Sequence, residues 1–276
     1  MRVGRVLKRL GIALAAVVAL LLAAFVWMDE IAEAAIERGG EAALGVETSL
    51  DAADVGVFGG RLALRGLRVA NPEGFRTEHL LALREGSVAV SLGSLLGDRV
   101  EVPHLTLAGV SLILERHRGR SNYRVVLRHV RRFEGEEEPE EGRRFIIREV
   151  VVRDVTVTAD LLPVGGSLTR VKLTIPEIRL HNVGSDSGGV LLAELMARLL
   201  KSILVSALHH GQGVLPSVLQ QELGGALKSL GTLGGLGVEF GGELGKTARS
   251  LGIGEAGKVV EGLGGLLNKK KGQKGE

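Results

Sequence analysis

A short pattern recurs along this chain and limits the folds open to it: apolar-x-apolar-x-[Gly/Asp/Asn]-apolar-x-apolar. It reads LALRGLRV at 62–69, LTLAGVSL at 105–112 and VVVRDVTV at 150–157, with a partial copy, IRLHNVGS, at 178–185. Alternation with period two marks a strand with one buried face. The apolar parity shifts across the fifth position, from Leu64 to Leu67 and from Leu107 to Val110. A one-residue slip would turn the second half of each strand to the opposite face. Gly66, Gly109, Asp154 and Asn182 fill that position, and these residue types tolerate left-handed backbone. A β-bulge there keeps both halves facing one side. The pattern predicts long, bulged, twisted strands with a continuous apolar face.

Other segments alternate in the same way: Val46, Thr48 and Leu50; Val88, Val90 and Leu92; Val100 and Val102. Asn71-Pro72-Glu73-Gly74 is a turn between two of them, with Pro setting φ and Gly supplying a positive one. Counted segment by segment, the chain offers about ten strands, or about 50 Å of sheet at roughly 4.8 Å per strand. Only 3% of residues are aromatic, so the core is expected to be thin layers of Val, Leu and Ile.

Upstream of the strands, Leu10–Met28 is an uncharged apolar run. As a helix it would be roughly 28 Å long, the hydrocarbon thickness of a bilayer. Arg2, Arg5, Lys8 and Arg9 precede it, and Asp29, Glu30 and Glu33 follow. Cations stay cytoplasmic, so residues 29–276 are expected on the periplasmic side of a bacterial inner membrane, with Trp27 at the interface. The competing reading is a cleaved signal peptide with Ala32-Glu33-Ala34 as its small-residue site, for which the run is long.

These signals divide the chain. Residues 1–9 form a cytoplasmic basic segment, 10–28 a transmembrane anchor, and 29–45 a helical connector interrupted at Gly39-Gly40 and ended by Gly45. Residues 46–187 carry the strands. Within them, Ser121-Asn122 can cap a short helix, with Tyr123, Val126, Leu127 and Val130 on one face and Arg124, Arg128, Arg131 and Arg132 elsewhere. Segment 134–142 holds six acids and reads as a solvated, flexible loop. Residues 188–210 read as an amphipathic helix, with Leu191, Leu192, Leu195, Leu199, Ile203 and Leu204 opposite Glu194, Arg198 and Lys201. Residues 211–276 are a Gly-rich, Lys-ended, low-complexity tail. It is expected as frayed helix or disorder, with a weak membrane-surface helix as the alternative.

Chemistry is hard to place on this chain. There is no cysteine, which removes disulfides, thiolate metal sites and a Cys nucleophile. Gly252-Ile253-Gly254-Glu255-Ala256-Gly257 has the spacing of a dinucleotide loop but no strand before it. Gly245-Lys246-Thr247 lacks the first glycine of a phosphate loop, and His209-His210 lacks a third ligand at useful spacing. A net charge of +3, together with the expected topology, argues against nucleic acid. No catalytic, cofactor-binding or metal-binding residues are assigned, and the chain reads as a non-enzyme.

The order of parts resembles a known family. GGRLALRGLRVANPEGF, VEVPHLTLAGVSLILER and RSNYRVVLRHV, behind an N-terminal anchor, resemble the N-terminal region of the AsmA family of bacterial envelope proteins. FIIREVVVRDVTVTADL, LTIPEIRLHNVGSDSGG and the Leu-rich helix that follows are similar to short members of that group. The resemblance covers roughly residues 1–210. It implies a mainly β fold with helices (α+β): an elongated, twisted, antiparallel-type sheet curled into an apolar groove with a capping helix. It also implies phospholipid handling in envelope biogenesis. On that reading Leu62, Leu64, Leu67, Val69, Leu105, Leu107, Val110 and Leu112 line the groove. The partners are the membrane, phospholipid and envelope proteins. A non-enzymatic structural or assembly factor for outer-membrane proteins or an envelope complex is the alternative.

Overall fold

The computed structural model describes residues 27–131, 142–164, 167–185 and 187–228, together with Ile12. Apart from Ile12, Trp27 and Met28, the apolar run Leu10–Met28 lies outside the described residues. So do most of the acidic segment 134–142 and the tail beyond Lys228. Among the described residues no helix is long and apolar enough to cross a membrane.

The fold is mixed α+β. Helix α1 (Met28–Leu44) leads into β1 (Thr48–Ser49), β2 (Ala52–Gly56), β3 (Arg61–Ala70), β4 (His79–Ala89) and β5 (Arg99–His117). The short strand β6 (Arg120–Ser121) and helix α2 (Asn122–Val130) follow, then β7 (Arg144–Val164), β8 (Ser167–Val183), α3 (Leu192–His210) and α4 (Ser217–Lys228). One eight-stranded sheet runs β1-β3-β4-β5-β7-β8, with β2 also on β3 and β6 on β5.

Two expectations are corrected here. The sheet is mixed, not antiparallel throughout, because β5 and β7 are parallel. A parallel pair needs a crossover of a dozen or more residues, and residues 118–143, with α2, provide it. The sheet is also narrower than ten strands. The segments Val100–Val102, Leu105–Leu107 and Val110–Leu114 are one 19-residue strand, β5. With six strand positions abreast, the width is about 24 Å.

The reason three segments make one strand lies in how the parity breaks are arranged. Gly66, Gly109, Asp154 and Asn182 are all left-handed, with φ of 65°, 73°, 54° and 56°. Each half of the strand does keep its apolar residues on one face. Leu64 and Leu67 are both buried, as are Leu107 and Val110, and Val152 and Val155. The breaks are not two-against-one bulges, however. Arg65 pairs with Glu85 and Leu67 with Leu83, so the register is unchanged across Gly66. The same holds for Glu85–Ala108 and Leu83–Val110 on the next pair, Ala108–Arg153 and Ser111–Thr156 on the next, and Arg153–Glu177 and Val155–Ile175 on the last.

One row of breaks therefore crosses the sheet through Asp51, Gly66, Arg84, Gly109, Asp154 and Pro176. Because every strand breaks at the same level, none gains a residue on its neighbour. A shorter second row runs through Pro103, Arg148 and Asn182. Prolines suit such rows, since a residue that leaves the ladder loses no hydrogen bond by lacking an N–H.

The helices close over the apolar face. α1 runs unbroken through Gly39-Gly40, contrary to the expected interruption. A Cβ on Gly39 would lie 2.9 Å from the Leu192 side chain, and one on Gly40 2.6 Å from Thr48. The glycines are the points where α1 approaches α3 and β1 most closely. α3 spans Leu192–His210 but is not amphipathic in its surroundings, because every residue from Ala197 to Leu208 is buried. Arg198 and Lys201 are only 3% and 2% exposed. Arg198 pairs with Glu194 one turn back, as a buried ion requires. α4 lies inside the Gly-rich stretch 211–276 expected as frayed helix or disorder, and buries Leu219, Leu223 and Leu227.

Candidate functional site

The sheet, α1 and α3 border a cavity of about 270 Å³ whose lining residues are all apolar. β3, β4 and β5 supply its floor, with Leu64, Leu83 and Leu107 facing inward. The inward direction follows from period two on each side of the Gly66–Gly109 row. α1 supplies Ala32, Ala35 and Ile36, and α3 supplies Leu192, Leu195, Met196, Leu199 and Ile203. These fall at helical spacing of three and four, so one stripe of each helix faces the sheet.

Of the eight residues expected to line an apolar groove, Leu62, Leu64, Leu67, Val69, Leu105, Leu107 and Val110 line this cavity. Leu112 is fully buried on the same face but lies off the cavity wall. The contribution of α1 to the wall was not read from the sequence. The helix was treated as a connector, although the Ala32, Ala35, Ile36 spacing was a usable signal.

Gly86 sits at an inward position of β4, where a Cβ would stand 3.2 Å from Leu107 and 3.3 Å from Leu64. Its missing side chain lets the two leucines meet across β4.

The edge of the sheet beside the cavity is sealed by α1. The Leu50 N–H donates to Glu37 Oε1 at 2.9 Å, and the Val55 N–H to Asp29 Oδ1 at 2.8 Å. Edge strands with unpaired N–H groups invite association, and these carboxylates occupy two of them.

Polar chemistry collects at the opposite end of the sheet from the β2–β3 turn. Glu115 is fully buried. Its carboxylate accepts from the Arg76 and Thr77 backbone N–H groups at 2.9 and 3.0 Å, from the Thr77 hydroxyl at 2.8 Å, from Arg76 Nε at 3.2 Å and from Asn71 Nδ2 at 3.2 Å. Burial alone would raise its pKa. The donors from Thr77 and Arg76 outweigh that and hold the carboxyl below its ordinary value. Asn122 Oδ1 accepts from the Glu115 and Tyr123 N–H groups at 2.9 and 2.8 Å, which fixes the start of α2. Ser121 stands at the helix N-cap, but its hydroxyl bonds Glu222 at 3.3 Å instead of capping. Tyr123 also donates to Glu222, and burial pushes its phenol up to about 12. As expected, α2 buries Tyr123, Val126, Leu127 and Val130.

This polar corner ties loops and helices together. The donors of Asn71, Arg76 and Thr77 that face Glu115 are all engaged by it. Among the described residues no group of three His, Cys, Asp or Glu could hold a metal. No family model matches this chain, and no curated protein matches it.

Proposed function

We propose that this chain is an AsmA-like protein, anchored in a bacterial inner membrane by Leu10–Met28, whose periplasmic fold binds phospholipid through its acyl chains. The observation that carries the reading is the all-apolar wall of the cavity under α1 and α3. Small-molecule sites combine apolar walls with a few polar groups that fix orientation. A wall with no polar residue selects hydrocarbon and nothing more specific. At about 270 Å³ the space lies just below the usual range of roughly 300–1,000 Å³, which suits part of one chain better than a whole two-chain lipid. A sheet about 24 Å wide is short for a bridge between two membranes, so the reading is binding or hand-off, without enzymatic activity.

The test is native mass spectrometry with lipid extraction on the full chain. Phospholipid is expected in defined stoichiometry, and Ala35→Phe, which fills the cavity, should remove it while leaving the fold intact. Stable protein without lipid would favour the second reading, a non-enzymatic assembly factor for outer-membrane proteins or an envelope complex. That reading draws on α1 and α3, which already cover the apolar face from which Leu105, Val110 and Leu112 project.

A further inference from the structure

Large apolar side chains are left exposed mainly at one end of the sheet. Phe58, in the turn between β2 and β3, is 89% exposed, and Leu96, in the connection from β4 to β5, is 95% exposed. Leu92, Trp27 and Ile31 are 44%, 64% and 62% exposed. Elsewhere, Val214 and Val218 flank the α3–α4 turn and Ile12 lies in the apolar run. Contacts place the first five at a single end. Val90 N–H donates to the Gly60 carbonyl at 2.7 Å, and a Cβ on Gly60 would be 3.3 Å from Leu92, so the two loops touch. Asp29, two residues after Trp27, accepts from Val55 next to the end of β2. Arg143 reaches the Leu95 carbonyl at 2.8 Å, so β7 starts here too.

Exposed apolar residues scattered singly mean nothing, but several on adjoining loop tips mark an interaction surface. What lies beyond this end is written in the sequence. The 26 residues before Trp27 precede this end in the chain, and they contain all but the last two residues of the uncharged run. We infer that this end of the sheet rests on a lipid bilayer, with Phe58 and Leu96 inserted into its interfacial layer beside Trp27. This rests on the reading of Leu10–Met28 as an anchor and not on lipid occupancy of the cavity. Insertion of loop tips buries apolar area in the headgroup–acyl boundary, and an aromatic at that depth is favourable. Exposed cations here, Arg61, Arg99 and Arg143, are offset by Glu30, Asp54 and Asp98, so the contact is hydrophobic and needs no anionic lipid. The cavity reaches the same end, since Leu62, Val88 and Val90 line it.

The chain has no cysteine, so single cysteines can be labelled uniquely. The full chain would be reconstituted in phosphatidylcholine vesicles with an environment-sensitive fluorophore at Phe58→Cys, Leu96→Cys, Glu73→Cys or Ala19→Cys. Glu73 is exposed at the far end of the sheet; Ala19 reports the anchor. Quenching by nitroxide-bearing lipid is expected to be several-fold stronger at 58 and 96 than at 73, and unchanged by high salt. Quenching at 19 with 58 and 96 as wet as 73 would overturn the inference and leave the anchor standing. Quenching at 58 and 96 without quenching at 19 would keep the bilayer contact and remove the anchor. Protection at 58 and 96 that grows with protein concentration and ignores nitroxide lipid would overturn it in favour of a second copy.

Discussion

The two ends of the sheet solve the same problem in opposite ways. At one end the loops carry Phe58 and Leu96 almost fully exposed, on turns held by backbone hydrogen bonds, the Ser94 hydroxyl and Arg143. At the other end the β3–β4 loop is locked onto a buried carboxylate, Glu115, by four backbone and side-chain donors from Arg76 and Thr77 together with Asn71. A loop that must be rigid without an apolar core under it needs internal hydrogen bonds. A loop whose partner lies outside the fold can leave its apolar tips bare.

The largest expected effect comes from breaking the locked end. Glu115→Ala leaves buried donors without an acceptor, at about 3 kcal/mol, and should lower the melting temperature by roughly six to twelve degrees in calorimetry. Phe58→Ser at the open end should change the stability by less than about 0.5 kcal/mol.

The next effect sits between the ends. Gly109 is left-handed, and a Cβ there would come 2.9 Å from Arg84. Gly109→Ala should lose about 1–2 kcal/mol in urea unfolding. Arg84→Ala in the same chain should recover only the part due to the guanidinium, because the 2.9 Å contact is with the Arg84 Cβ, which alanine keeps.

The ends should also separate by pH. The Glu115 carboxyl is held below its ordinary value, so its contribution is complete above about pH 4.3 and is lost as pH falls through the lower native value. Acid unfolding of the wild type should steepen below pH 4, and Glu115→Gln should flatten that fall. Tyr123 shows the reverse sign. Its phenol titrates near 12, so the stability it confers is full below about pH 10 and fades between there and pH 12. Tyr123→Phe should abolish that alkaline loss.

The smallest effect is a gain. Asp154 holds a φ of 54° that suits glycine better. Asp154→Gly should stabilise by up to about 1 kcal/mol, because the Arg84 contact it gives up is exposed and 4.0 Å long.

Much of the fold was legible residue by residue. The Gly/Asp/Asn positions announced left-handed backbone, and the alternation around them announced which side chains face inward, seven of which line the cavity. That information is local, since period two and φ tolerance depend only on the residue and its neighbours. Alignment of the breaks into one row was not legible, because Arg84 and Pro176 complete it without matching the repeat. Nor was the count of strands, since a break looks like an end until its neighbour shares it.

The sequence by itself determined the apolar face, the left-handed positions of the repeat and the helices α2 and α3. Only the tertiary structure decided that β5 and β7 run parallel, that α1 and α3 border a cavity above the sheet, and that Glu115 is a buried anchor for a loop 38 residues away in the chain. Those are facts about which distant segments meet. They depend on crossover geometry and close packing at Gly39 and Gly40, for which no local pattern carries a signal.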